Sequence, residues 1–235
     1  SRVVQLVKKK FQFKKVGHLG TLDPMATGLL ILAINRGTKF SSLLLESHKS
    51  YAAEVTLGIQ TDTDDAEGEK ILSRPVTCNN EQTKQMLLSF LGSGKQEPPI
   101  YSALKVNGKP MYKYARQGVK VEKASRNIEI QTIENISINL PRISFEVSCS
   151  KGTYIRSIAR DLGELLGCGG HLSALKRLTQ KDFLLKDAKK IDEINELDII
   201  PLELAFNHLE SVNIPEEQLK KFINGSAVDL ELSKN

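Results

Sequence analysis

No stretch of the chain is apolar for long enough to cross a bilayer. The run GLLILAI, residues 28–34, is about a third of the ~18 residues that a spanning helix needs. The amino end lacks an apolar core ahead of a small-residue cleavage site, so no secretory leader is expected. Cysteine is scarce. Cys78, Cys149 and Cys168 are odd in number, far apart and form no CxxC pair, which argues against a zinc site and a disulfide framework. A reducing cytoplasm is the compartment such usage predicts. Internal repeats and low-complexity tracts are absent too.

Acids are missing from whole segments. Residues 1–22 hold six basic residues (Arg2, Lys8, Lys9, Lys10, Lys14, Lys15) and no Asp or Glu. Residues 105–126 hold seven (Lys105, Lys109, Lys113, Arg116, Lys120, Lys123, Arg126) against Glu122 alone. Residues 181–235 run the other way, with seven Lys and twelve Asp or Glu. The formal net charge of +5 thus hides two basic clusters, the footprint of a polyanionic partner. The rest is ordinary: 235 residues, 40% hydrophobic and 26% charged, describe a soluble globular protein of one large domain or two modest ones.

Val3, Val4, Val7 and Phe11 recur at helical spacing and predict an amphipathic helix over 2–13. GLLILAI reads as a short buried strand and TKFSSLLLES as a helix. YAAEVTLGI alternates, placing Tyr51, Ala53, Val55, Leu57 and Ile59 on one strand face. TDTDDAEGE, 61–69, has acids at alternate positions. Counted from Asp62, however, the loop position that an EF-hand fills with glycine is Glu67, so a plain loop is expected. Asn80 is expected to cap a helix over 80–91 that Gly92 stops. Strands follow around NIEIQTI and RISFEVSCS. The second leads through SKGTY into a helix with Ile155, Ile158, Ala159, Leu162, Leu165 and Leu166 on one face. A last helix runs from Pro215 to Gly225. Strands and helices mix without a steady βαβ rhythm, which points to an α+β fold with a mixed, largely antiparallel sheet.

Three stretches carry chemistry. GHLGTLDPMATG, 17–28, sets Asp23 between a glycine-rich turn and an apolar run. Asp23 is either an N-cap with Pro24 opening a helical turn, or a carboxylate presented on a rigid turn to react. In YSALKVNGKPMYKYAR, Tyr101, Tyr112 and Tyr114 interleave with Lys105, Lys109, Lys113 and Arg116. Cations neutralise phosphates and aromatic faces stack on unpaired bases at ~1–3 kcal/mol each, unless the tyrosines are core and the lysines merely solvated. A long segment without secondary structure in a compact domain favours function. In SKGTYIRS, Arg156 opens a helix against the dipole and so needs a carboxylate partner: Asp161 nearby, or Asp23 at a distance.

GHLGTLDPMATG resembles the signature of the TruB family of pseudouridine synthases, the bacterial tRNA pseudouridine(55) synthases. Tyr51 at the head of its strand, PPIYSALKVNGKPMYKYARQG and SKGTYIRSIARDLGELLGCGGHLSALKRL match the same family in order and spacing, over roughly residues 1–210. The resemblance implies isomerisation of one uridine, position 55 in the T-loop of tRNA, with no cofactor and no metal. It implies a pseudouridine synthase fold with a basic, thumb-like insertion at about 95–126. It puts Asp23 on the catalytic aspartate, Tyr51 on a tyrosine that stacks on the base and takes part in proton transfer, and Arg156 on an arginine that pairs with the aspartate. Tyr154 and Leu175 match pocket-lining residues, and His18 a histidine that fills the space of the flipped base. Extruding a uridine costs a few kcal/mol, which stacking in the pocket offsets.

The chain departs from the family pattern in three places. No lysine–proline–glycine motif precedes SRVVQLV, residues 211–235 match only the opening of a small PUA-type RNA-binding domain, and LKRL is followed by Thr179 where glycine is usual. Two other readings remain. One is a tRNA-binding or tRNA-folding protein with secondary or lost catalysis. The other is a guide-RNA-dependent synthase, against which His18 stands, because arginine is typical there. The expected partner is the tRNA T-arm, with no membrane and no protein partner required, and the expected state is a monomer.

Overall fold

The computed structural model of the chain describes residues 2–45, 47–102, 104–115, 117–119, 124–207, 209–210 and 212–228. Its first elements are α1 (Arg2–Lys10), β1 (Val16–His18), β2 (Thr27–Gly28), β3 (Leu32–Ile34), α2 (Ser41–Leu45), β4 (Lys49–Leu57), β5 (Ile59–Thr61) and β6 (Lys70–Ser73). After α3 (Asn80–Leu88) and β7 (Gly92–Gln96), the basic insertion forms β8 (Lys105–Val106), β9 (Lys109–Pro110) and α4 (Met111–Ala115). Then come β10 (Arg126–Asn139), β11 (Arg142–Cys149), α5 (Ile155–Leu165), β12 (Gly170–Gln180) and β13 (Phe183–Leu184). Residues 193–235 form a separate compact unit that contains α6 (Leu202–Ala205) and α7 (Glu216–Ile223).

Seven strands make the central sheet, in the order β13–β12–β4–β11–β10–β7, with β2 added alongside β12. All of its pairings are antiparallel except the parallel one of β2 on β12. The sheet is therefore mixed and largely antiparallel, in an α+β chain, as the pattern predicts. Alternation explains its two faces. Ala53, Val55 and Leu57 on β4, and Ile143, Phe145 and Val147 on β11, are buried on one face, where Ile155, Ile158, Ala159 and Leu162 of α5 join them in one apolar cluster with Leu87 of α3.

Local expectations fail in instructive places. The apolar run at 28–34 is not one core strand. Gly28 closes β2 on β12, and Leu32–Ile34 pairs with β1 in a separate two-stranded sheet, because Leu29 bonds to β12 between them. The first helix ends at Lys10, short of Phe13, and TKFSSLLLES begins as a 3-10 turn over Asn35–Phe40. The helix α3 is capped by Asn79, whose side chain accepts from the Gln82 amide while Gln82 returns a bond to Asn79, one residue before the expected Asn80. Leu165 points to solvent at 59% exposure, because the helix turns Gly163 rather than Leu165 toward β12. The insertion, expected without secondary structure, is a hairpin. Asn107 and Gly108 take positive φ in the two-residue turn of β8–β9, a conformation that Asn-Gly adopts at little cost.

Gly163 marks the tightest contact between helix and sheet. A Cβ there would overlap the Gly170 nitrogen and the Gly169 carbonyl carbon, both backbone atoms that cannot turn aside. Gly163→Ala is expected to destabilise the fold by roughly 3 kcal/mol, overwhelming the ~1 kcal/mol that alanine gains in a helix. A urea titration that left the midpoint unchanged would show that α5 and β12 can part freely.

Candidate active site

Asp23 is not an N-cap. No helix follows it. Its carbonyl accepts the Ala26 N–H at 2.9 Å, which makes 23–26 a tight turn with Pro24 at the position whose φ proline presets. The turn is held from both sides by β12. Leu29 donates its N–H to the Arg177 carbonyl at 2.9 Å, and Gly28, at φ +97°, lies so close to that strand that a Cβ would overlap the same carbonyl. Met25 and Ala26 pack on the core cluster, as Tyr51 does. The carboxylate is thus carried on a braced turn, with its side chain 32% exposed at the mouth of the site.

Its partner is Arg156, not buried in the core by accident but placed by the start of α5. Arg156 Nε donates to Asp23 Oδ2 at 2.8 Å and Nη2 to Asp23 Oδ1 at 3.1 Å, a bidentate pair. The local alternative fails, because Asp161 is taken by the next arginine on the face, Arg160, at 2.7 Å. Burial pushes the Asp161 carboxyl up, against the pull of that guanidinium. The remaining N–H groups of Arg156 are also used. Nη1 donates to the Thr63 carbonyl at 3.0 Å and Nη2 to the Tyr101 carbonyl at 3.1 Å, and Asp65 Oδ2 stands 3.6 Å from Nη1.

Those last contacts involve groups that sequence reasoning passed over. The loop 61–69 is a loop, as expected, but its acids are not idle. Asp65, 6% exposed, lies beside Arg156, and its Oδ1 accepts the Thr63 hydroxyl at 2.6 Å and the Glu67 amide at 3.1 Å. Asp64 Oδ2 pairs with Arg160 at 3.1 Å. Arg156 and Arg160, one helical turn apart, face two adjacent acids, and that i, i+4 arginine pair was the available signal. Gln96 was missed as well. Its side chain accepts the Tyr154 N–H at 2.8 Å and donates to the Tyr154 carbonyl at 3.1 Å, fixing the backbone just before Arg156.

Tyr51 faces Asp23, Cys149 and Arg177. Burial pushes its phenol up to about 12, with Cys149 adding to the rise and Arg177 opposing it. Leu175, buried on β12, is the cross-strand partner of Ala53, two residues from Tyr51 on the same face. His18 ends β1, opposite Leu32. Its Nδ1 is buried without a hydrogen-bond partner among the described residues.

The basic insertion divides. Lys105 and Lys113 are exposed. Lys109 is engaged, donating to Gln117 Oε1 at 2.6 Å and lying 4.6 Å above the Tyr114 ring. The Tyr114 hydroxyl in turn donates to the Val106 carbonyl. Arg116 lies outside the described residues. The structure therefore brings Asp23, Arg156 and Tyr51 together with Asp65. Among the described residues no group of three or more His, Cys, Asp or Glu is placed to hold a metal ion.

Comparison with known proteins gives the family. Residues 8–155 match the family model described as TruB family pseudouridylate synthase (N terminal domain), and residues 156–223 that of the tRNA pseudouridylate synthase B C-terminal domain. The chain is 44% identical over 231 residues to tRNA pseudouridine synthase B of Alkaliphilus oremlandii, covering 96% of this chain and 77% of that protein. It is 42% identical over 230 residues to that of Clostridium kluyveri, covering 96% and 80%. Among solved structures, a chain of a Cbf5-Nop10-Gar1 complex superposes with a TM-score of 0.69 at 28% identity, over 95% of this chain and 63% of that one. A chain of an H/ACA RNP bound to a substrate RNA containing 2'-deoxyuridine shares the fold, with a TM-score of 0.69 at 24% identity. The present chain thus spans less than two thirds of those solved chains. With its aspartate turn, its paired arginine and both family models matched along its length, the chain belongs to the TruB family of pseudouridylate synthases.

Proposed function

We propose that the chain converts the T-loop uridine of tRNA to pseudouridine, with Asp23 as the reacting carboxylate. The observation that supports this best is the bidentate Asp23–Arg156 pair on a braced turn beside Tyr51. In the reaction the bond from the ribose to uracil nitrogen 1 breaks, the base turns, and a bond forms to carbon 5. The proton on carbon 5 leaves to solvent and nitrogen 1 gains one, so atoms and charge balance without a co-reactant. Asp23 divides the hard exchange into two easier steps. Tyr51 stacks on the extruded base and takes part in proton transfer, Tyr154 and Leu175 line its pocket, and His18 occupies the gap it leaves. Residues 1–210 make the catalytic domain, and 211–235 open a PUA-like one. The protein works as a cytosolic monomer, on RNA alone.

The test is tritium release from a T-arm stem-loop carrying uridine tritiated at carbon 5, without metal or guide RNA. Release supports the reading. Its absence with tight binding retained would favour a binding protein, and release only on adding a guide RNA would favour a guide-dependent synthase.

Lys105 and Lys113, exposed on the insertion, are read as phosphate contacts. Replacing both with alanine is expected to weaken T-arm binding about tenfold at ~0.1 M salt and to reduce the log–log salt slope by about 1.5. Filter binding across a salt series checks this. An unchanged slope would place the RNA elsewhere. Replacing Lys109 is expected to cost less, because its ammonium is held by Gln117 and the Tyr114 ring.

A further inference from the structure

Arg177 is an arginine at 1% exposure in the middle of β12. Among the described residues no carboxylate lies within 4 Å of its guanidinium. Burying a cation without a counter-ion is costly, and fixed dipoles must compensate. The dipoles here are chosen with a purpose visible in the chain. Nε donates to the Leu29 carbonyl at 2.7 Å and Nη2 to the Gly20 carbonyl at 3.2 Å. These two carbonyls flank the Asp23 turn, one three residues before it and one six after. A second buried side chain of the strand, Gln180, donates to the Leu19 carbonyl at 2.8 Å. The loop that carries Asp23 is therefore closed at its base by one guanidinium.

The same guanidinium serves Tyr51. Arg177 and Tyr51 are direct cross-strand partners in the β12–β4 ladder, so their side chains rise from the same sheet face, and the guanidinium opposes the rise that burial imposes on the phenol. The titratable groups that face Tyr51 from the packed elements are Asp23 on the turn, the buried Cys149 thiol on β11 and Arg177 on β12. Only Arg177 also binds the turn. Lysine could supply the charge but not the planar fork that reaches Leu29 and Gly20 at once while facing Tyr51.

We propose that Arg177 is a positioning residue, a buried carbonyl clamp that fixes the Asp23 turn and the Tyr51 phenol in one frame. The inference rests on the reading of Asp23 and Tyr51 as the groups that meet the base. It predicts that Arg177→Lys lowers the single-turnover rate of tritium release about thirtyfold, since a displacement near 1 Å at a reacting group costs on that order. T-arm affinity should stay within about threefold, because the clamp touches none of the phosphate contacts proposed above. Part of the loss should run through the phenol. In a double-mutant cycle with Tyr51→Phe, the combined loss should fall at least about fivefold short of the product of the single losses. A rate within about threefold of wild type, or strictly multiplicative losses, overturns the proposal.

If Arg177→Lys does not fold, Tyr51→Phe alone carries the test. In a ¹⁵N-arginine spectrum of the free protein, a slowly exchanging Nε–H should shift when the phenol oxygen is removed, and no shift overturns the proposal. That measurement needs no activity. An inactive wild type in the tritium assay would therefore count against the isomerase reading, and a silent spectrum against the clamp.

Discussion

Asp23→Asn is expected to lower tritium release from a T-arm substrate by at least roughly 10⁴-fold, the scale of losses seen when a reacting side chain is removed outright. The argument turns on how little else changes. Asparagine has the shape of aspartate, and the 23–26 turn is set by Pro24 and by the backbone bond from Ala26, neither of which involves the side chain. One amide oxygen can still accept from Arg156. The other position becomes an NH₂ that would face a donor where Oδ2 now receives Nε–H at 2.8 Å, so one bond is lost and the amide must swing away. Asp65 stays beside the guanidinium, so Arg156 is not left alone. The stability cost should therefore be modest, roughly 1–2 kcal/mol, and affinity for the T-arm close to that of the native chain. Tritium release, a urea titration and filter binding on the same preparation separate the three quantities. A variant that folds, binds and still releases tritium at a tenth of the native rate would show that Asp23 orients the base and that another group reacts with it.

How far the sequence could be read depended on whether an interaction was local. Alternation over 51–57 and the apolar face of 155–162 named the sheet and its covering helix, because side chains at period 2 and 3.6 report their own element. Asn107-Gly108 is equally local, a two-residue signal for the hairpin turn that β8 and β9 make. Asp23 as a turn rather than a cap could not be read that way. Whether a helix follows depends on Leu29 bonding to β12, 148 residues away, and no pattern near Asp23 carries that information. The choice between Asp161 and Asp23 as the partner of Arg156 was open for a similar reason. It was decided by Arg160, which captures Asp161 and leaves Arg156 free to reach across the fold. Asp65 and Arg177 were invisible because their partners are a loop carbonyl, a distant guanidinium or a neighbouring strand. Their residue types are common, and only the assembled site makes them particular.

The second large effect concerns Arg156. Arg156→Lys is expected to lower the single-turnover rate by about 10²- to 10³-fold and to destabilise the fold by roughly 2–4 kcal/mol, although the charge is kept. The guanidinium at this position is 5% exposed and its N–H groups are distributed over four partners: both oxygens of Asp23, the Thr63 and Tyr101 carbonyls, and the flank of Asp65. An ammonium donates from one point and cannot span them. Wherever it settles, it leaves buried acceptors on the acid loop or at the root of the insertion without a donor, which accounts for the loss of stability. If it settles on Asp65, the more buried acid, Asp23 loses the fork that sets its orientation, which accounts for the loss of rate. T-arm affinity should change by less than about threefold, because no proposed phosphate contact lies among these partners. Stopped reactions at enzyme excess, with affinity measured in parallel, distinguish this from weakened binding. A lysine variant of native rate would mean that Asp23 needs a nearby positive charge and not a fixed geometry. The braced turn and the crowded hydrogen bonding of Arg156 would then serve the fold and not the reaction.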